Sequence, residues 1–167
     1  NIPENIVKWY LVNPMTRDER IVAIPLGVGK DASDDICSTI SDPLLIDRPD
    51  RVNWVYLNWQ DNTMERASLK NAYVSLNADW ITVVDSPKPY KDYLKDLCKH
   101  IFALCPQGNG VDCYRILECL YCGCIPIVKN EIAYQYLDGL PHVKIDCWSQ
   151  VTPSFLQEKL KIIEQLD

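Results

Sequence analysis

The chain has 167 residues, 47% hydrophobic and 24% charged, the composition of one globular domain with a real core. The formal net charge is -6, from 17 basic and 23 acidic residues, which excludes a general nucleic-acid binder with a basic face but not a local site for a small anion. No run of about 18 apolar residues occurs, so no transmembrane helix is predicted.

The opening residues Asn1-Ile2-Pro3-Glu4-Asn5 have neither a basic nor an apolar stretch. They do not read as a signal peptide and suit a processed start. Arg20 to Gly27 reads as a strand and a turn, and the polar stretch from Ala32 to Asp50 as a connecting loop. Residues 1–51 are therefore expected to be an extension or the remnant of a preceding domain.

From residue 52 onward, strands and helices alternate. Val55-Tyr56-Leu57 predicts a strand and Thr63–Leu76 a helix. Trp80–Val84 is β-rich and bounded by Asp79 and Asp85, so it predicts a strand. Tyr90–Cys98 has a helical pattern, and His100–Cys105 is an apolar strand that stops at Pro106. Asp112–Cys122 predicts a helix ended by Gly123. Ile125–Val128 is a buried strand whose Pro126 suggests the start of the strand or an edge position. Glu131–Leu137 predicts a helix and Val143–Asp146 a strand. Thr152-Pro153 is a cap followed by Pro at the first helical position, opening a helix that runs to about Leu166. Alternating strands and helices imply an α/β domain over 52–167, a parallel sheet flanked by helices. Ligands in such sheets bind at the carboxyl ends of the strands.

That rule directs attention to the turn after Cys105. There a buried strand meets Gly108-Asn109-Gly110, and the turn opens a helix. Glycines let backbone approach a ligand, and helix-start amides favour phosphate. At about 100° per residue, Asp112, Arg115 and Glu118 share one side of the predicted helix. Cys113, Ile116, Leu117 and Leu120 share the other, which should pack on the sheet. Arg115 has the fork geometry for a phosphate, and Glu118 accepts hydrogen bonds from ribose hydroxyls in this reading. The same residues also suit a plainer arrangement, with Asp112 as a helix-start charge and Arg115 with Glu118 as a surface ion pair.

Other features read as structural. Cys119-x-x-Cys122-x-Cys124 lacks a second pair at zinc spacing, so core thiols and no metal site are expected. Most of the eight cysteines lie in apolar stretches, which favours a reduced, cytoplasmic setting over a disulfide framework. His100 and His142 have no Ser or Cys at triad spacing, and no P-loop is present. Asp34-Asp35 is not an Asp-x-Asp motif, which disfavours metal-dependent sugar transfer. Trp54, Tyr56, Trp59, Trp80 and Tyr90 read as core or half-buried positions.

The segment from Phe102 to Val128 resembles the signature of exostosin-like glycosyltransferases. It holds the strand, the Gly-Asn-Gly turn, Asp112-x-x-Arg115, Glu118 and the Gly123-x-Ile125-Pro126-Ile127-Val128 strand in that order. Trp9 with Asn13, and Ile24-Pro25-Leu26-Gly27, resemble the segment that enters the family's domain. Asn58, Thr63 and Arg66 resemble its first strand–helix turn. The position before Arg115 is Tyr114, where many members have His.

The resemblance implies the Rossmann-like, nucleotide-sugar-binding C-terminal half of a two-domain GT-B enzyme, with no required cofactor or metal. It implies a nucleoside-diphosphate sugar as donor and a carbohydrate acceptor. Gly108, Asn109 and Gly110 would line the phosphates, with Arg115, Arg66 and Tyr114 bonding to them and Glu118 meeting the ribose. Asp112 is the one local candidate for a catalytic base. A first Rossmann-like domain is not visible in the sequence, so a non-catalytic nucleotide- or sugar-binding domain is the alternative. If the chain is part of a longer anchored protein, a Golgi-lumenal setting replaces the cytoplasmic one.

Overall fold

The computed structural model describes residues 2–29, 32–42, 51 and 53–165. Among the described residues, seven strands form two sheets. Strands β1 (Trp9–Leu11) and β2 (Ile21–Ala23) make a small parallel pair. The main sheet holds β3 (Asn53–Leu57), β4 (Ile81–Val83), β5 (His100–Leu104), β6 (Ile125–Lys129) and β7 (Val143–Ile145), in the order β4-β3-β5-β6-β7 and all parallel. This is the α/β architecture expected from the sequence, a Rossmann-like parallel sheet flanked by helices.

Helix α1 (Ser33–Ile40) precedes the main sheet, and α2 (Met64–Leu76) connects β3 to β4. Helix α3 (Tyr90–Lys99) connects β4 to β5, and α4 (Tyr114–Tyr121) connects β5 to β6. A 3-10 helix (Ile132–Leu137) lies between β6 and β7, and α5 (Pro153–Ile163) follows β7. Side chains alternate across the strands, and the two faces have separate cores. Val55, Leu57, Phe102, Leu104, Ile127 and Ile145 pack against Leu69 and Tyr73 of α2 and Leu156 of α5. Tyr56, Ala103 and Val128 face the other way, against Ile36 of α1, Leu94 and Leu97 of α3, and Ile116 and Cys119 of α4. A parallel sheet covered on both faces is apolar throughout, and β6 has four consecutive buried residues.

Local chemistry sets the helix ends. Thr63 accepts a hydrogen bond from the Arg66 amide at 3.2 Å and starts α2, a cap that contributes about 1 kcal/mol. Asn77 closes α2 in the left-handed region at φ 44. Thr152 caps α5, with Pro153 at its first position. Gly123, at φ 63, turns the chain out of α4 into β6, as its place after the helix predicts.

Four expectations need correction. The stretch read as loop from Ala32 includes α1, because Ala32 and Ile36 dock on the core beside α3; residues 43–50 of the same reading lie outside the described residues. Helix α4 starts at Tyr114, so Asp112 precedes it and does not share its polar side. Pro126 stands near the start of β6, one of its two expected places, but the strand is interior, with Pro126 paired to Ala103, so the edge alternative does not hold. The helix read at Glu131–Leu137 is a 3-10 helix with a kink at Tyr134.

The strand order positions the site. The chain steps outward from β3 to β4 by way of α2 on one face. It then returns past β3 to β5 by way of α3 on the other. The connections leaving β3 and β5 therefore diverge, and a crevice opens at the carboxyl ends of these two strands.

Candidate functional site

A cleft of about 860 Å³ occupies this crevice, a size suited to a small-molecule ligand. It is lined by Asn58, Trp59 and Asn62 after β3, Asp85 and Lys88 after β4, and Gly108, Asn109 and Gly110 after β5. Arg66 of α2, Tyr90 and Tyr93 of α3, and Tyr114, Arg115 and Glu118 of α4 complete its wall, as does Asp112. Every site residue singled out in the sequence lies on this one cleft.

Two guanidinium groups dominate its chemistry. Arg66 is 7% exposed; it donates from Nη1 to Asn62 Oδ1 at 3.1 Å and from Nη2 to the Pro106 carbonyl at 3.0 Å. Both acceptors are neutral. Arg115 makes no hydrogen bond or ion pair with any described residue. Among the described residues, three buried side-chain polar atoms lack a hydrogen-bond partner: Arg66 Nε, Arg115 Nε and Thr39 Oγ1. Two of the three belong to this site. Burial, and then the positive charge of Arg115, hold the Arg66 guanidinium below its ordinary range. Two guanidinium groups thus share one concave site, and among the described residues no carboxylate forms an ion pair with either. That is the electrostatic signature of a place for an anion.

The surface ion pair between Arg115 and Glu118 does not form. Glu118 is 7% exposed and takes two other donors: Tyr90 Oη at 3.0 Å on Oε1 and Tyr93 Oη at 2.8 Å on Oε2. Burial, and then the nearby Glu118 charge, push the Tyr90 hydroxyl up. Tyr93 shifts the same way, chiefly through burial. Both phenols therefore stay protonated and donate to Glu118. Each carboxylate oxygen still has a lone pair, so Glu118 remains able to accept from a ligand hydroxyl.

The Gly-rich turn is held from several sides. Tyr134 Oη donates to the Val111 carbonyl. Gly108 N–H donates to the Gly110 carbonyl at 3.0 Å. Asn13, at φ 56, accepts from the Asp112 amide on Oδ1 at 2.6 Å. A Cβ added at Gly110 would stand 3.1 Å from Asn13 Nδ2, so this position needs glycine for close approach. No side chain caps the start of α4, whose first residues Tyr114 and Arg115 line the cleft. Its amides and dipole add to the positive potential there.

Asp112 does different work. It is 3% exposed and its carboxylate takes three donors. Oδ2 accepts from the Leu26 amide at 2.7 Å, and Oδ1 accepts from the Cys113 amide and Tyr136 Oη, each at 2.8 Å. These bonds join the N-terminal segment, the start of α4 and the 3-10 helix. Tyr114 is 45% exposed at the rim.

Sequence reasoning missed Tyr93, Asn62 and the bonding role of Tyr90. The i,i+3 spacing of Tyr90 and Tyr93 on α3 is the available signal, because it puts both hydroxyls on one face. Five of the cysteines are core thiols: Cys98, Cys105, Cys119, Cys122 and Cys124 are buried and form no disulfide among the described residues. No group of metal-ligating side chains occurs among the described residues. His100 is buried and bonded within the fold, and His142 lies in a loop with Nδ1 2.7 Å from the Leu140 carbonyl. No helix of the described residues is long and apolar enough to cross a membrane.

A family model described as the RXYLT1 C-terminal domain matches residues 58–158, more than half of the chain. The match begins at Asn58 on the cleft floor and includes the Gly-rich turn, both arginines and all of α4. The chain thus belongs to the RXYLT1 C-terminal domain family, a family of exostosin-like glycosyltransferases.

Proposed function

We propose that the cleft binds the diphosphate of a nucleoside-diphosphate sugar, and that the domain is the donor-binding half of a GT-B glycosyltransferase acting on a carbohydrate acceptor. The observation that carries this reading is the Arg66–Arg115 pair, buried at Nε, without a carboxylate partner among the described residues, at the switch point of the sheet. A diphosphate supplies the missing negative charge and the acceptor oxygens in one group. In this reading Gly108, Asn109 and Gly110 lie against the phosphates and the two arginines bind them. Tyr114 donates a further hydrogen bond, and Glu118 accepts from a ribose hydroxyl.

The role in transfer follows from charge. When the bond between the anomeric carbon and the diphosphate oxygen breaks, its electron pair goes to that oxygen. Arg66, Arg115 and the α4 amides stabilise the charge that develops, so no metal or cofactor is required for that task. The acceptor hydroxyl forms the new bond to the anomeric carbon and gives up its proton.

The acidic side chains of the cleft bear on where that proton goes. Lys70 pairs with Asp61 at 3.4 Å and Asp85 at 2.7 Å, Glu118 holds two tyrosines, and Asp112 holds three donors. Each carboxylate that lines the cleft is thus already engaged. This favours a base supplied from outside these residues, and it keeps a second reading in play, a domain that binds donor without turnover.

Calorimetry against a panel of nucleoside diphosphates and their sugars tests the proposal. Binding of one nucleotide class, lost in Arg115→Ala and weakened in Glu118→Ala, is the expected result. A panel without any binding, or binding unchanged in Arg115→Ala, overturns it. Sugar release or transfer from the bound donor separates an enzyme from a binding domain.

A further inference from the structure

We infer that Asn58 is a specificity-determining residue whose carbonyl oxygen reads a hydroxyl or N–H donor on the uncharged part of the ligand, held in place by Tyr56 and Asp96. The inference rests on the proposal that the cleft takes a nucleoside-diphosphate sugar.

The argument is one of hydrogen-bond direction. Asp96 Oδ2 receives the Lys88 ammonium and also lies 3.1 Å from Tyr56 Oη. An oxygen that is accepting from an ammonium accepts from the phenol too, so Tyr56 spends its one proton on Asp96. Tyr56 Oη is also 3.0 Å from the Asn58 amide group. With its proton spent, the phenol has only lone pairs left for Asn58. It must accept, so the Asn58 NH2 points at Tyr56. The amide is planar, and its Oδ1 is therefore directed away from Tyr56.

Two further observations fix this arrangement. Tyr56 is fully buried, and its ring lies 4.7 Å from the His100 ring, tilted by 41°. His100 is itself locked: Nδ1 is 2.6 Å from the Asp96 carbonyl, so it carries the proton, and Nε2 accepts from Thr82 Oγ1 at 2.9 Å. Burial lowers the pKa of His100, which keeps the ring neutral in this tautomer. The Tyr56 ring thus has no freedom to swing away from Asn58.

Asn58 sits at the carboxyl end of β3, is half-buried, and lines the cleft with Arg66, Arg115 and Glu118. The cleft consequently presents cations for an anion and one fixed neutral acceptor beside them. A fixed acceptor rewards a ligand O–H or N–H and penalises a ligand that lacks it, because such a ligand shuts solvent away from the oxygen without replacing its hydrogen bond. Inorganic diphosphate keeps any proton it holds at neutral pH on a phosphate oxygen, among the arginines, and has no uncharged part to present such a donor. The base and sugar of a nucleotide sugar do.

The test is calorimetry with three probes: inorganic pyrophosphate, a nucleoside diphosphate, and the matching nucleoside-diphosphate sugar. Asn58→Ala should weaken the nucleotide ligand about tenfold while leaving pyrophosphate unchanged. Weakening already seen with the nucleoside diphosphate assigns the donor to the nucleoside. Weakening seen only with the complete donor assigns it to the sugar. Tyr56→Phe, which keeps the buried ring and removes only the hydroxyl, should give a smaller loss of the same pattern. A variant that weakens pyrophosphate as much as the nucleotide, or neither ligand, overturns the inference and leaves the diphosphate site standing. Failure of the unmodified protein to bind any of the three overturns both.

Discussion

Arg66 lies where a side chain on Gly108 would begin: a Cβ there would stand 3.0 Å from Arg66 Nη2 and 3.4 Å from its Cζ. Glycine at this position thus makes room for a guanidinium and not for a turn. Gly108→Ala would push Arg66 off the Pro106 carbonyl, while the tip of a long side chain can move without disturbing the core. The expected outcome is a stability loss of under about 1 kcal/mol with anion affinity reduced about tenfold. Paired urea unfolding and pyrophosphate calorimetry would measure both. Unchanged affinity would mean that Arg66 does not contact the anion.

The site gathers two guanidinium groups that form no ion pair with a carboxylate among the described residues. Arg115 has no partner among the described residues, and its charge helps to hold Arg66 below the ordinary arginine range. Arg115→Met keeps an unbranched stem of similar reach and removes the charge. It should raise the unfolding free energy of the ligand-free protein by about 1 kcal/mol. Pyrophosphate should then stabilise the unmodified chain, by about 2.7 kcal/mol at a hundredfold excess over Kd, and leave Arg115→Met unmoved. Thermal melting with and without pyrophosphate reads both effects. A destabilised Arg115→Met would show that the cation is already compensated.

Most of the sheet was legible because β3, β5 and β6 are short apolar runs bounded by polar turns, a pattern that local sequence shows directly. Helix α1 was not: Ser33, Asp34, Asp35, Ser38 and Thr39 have loop propensity. Tertiary docking of Ile36 overrides that preference. The start of α4 was misplaced by two residues for a similar reason. Asp112 has the look of a helix-start charge, yet its carboxylate is drawn to the Leu26 amide, 86 positions away in the chain. Gly108 and Arg115 were found through one contiguous motif. The contact of Arg66 with Gly108 was not readable locally, because only the strand order β4-β3-β5 brings α2 to the β5 turn. The Glu118 pair with Tyr90 and Tyr93 depends in the same way on α3 and α4 sharing one face of the sheet.

Asp112 should behave as a structural residue. Its three donors need a carboxylate, since an amide at this position has one acceptor oxygen and a donor group that meets an N–H. Asp112→Asn is expected to cost about 2–3 kcal/mol in urea unfolding. Asn13→Gly keeps the left-handed backbone of φ 56 and loses the bond to the Asp112 amide, for about 1 kcal/mol. An Asp112→Asn protein with an unchanged urea midpoint and abolished transfer would point instead to a catalytic carboxylate.

Acid should weaken the fold in two stages. Burial depresses the His100 pKa in the folded state. The unfolded chain therefore binds a proton near pH 6.5 that the folded chain resists. This contribution is complete above about pH 6.5 and is lost as the pH falls below it. Glu65 has the complementary case: burial alone would raise its pKa, but the Lys129 ammonium and the Trp148 N–H at 3.0 Å outweigh that and hold it low. Its contribution is present above about pH 4.5 and is lost only below that. Urea midpoints measured from pH 4 to 8 should fall first through the histidine window. His100→Gln should flatten the profile between pH 5 and 7 whatever its absolute stability, while Glu65→Gln should leave that part of the slope intact. A His100→Gln protein that keeps the full slope would assign the upper stage to another group and leave the neutral tautomer beside Tyr56 unsupported.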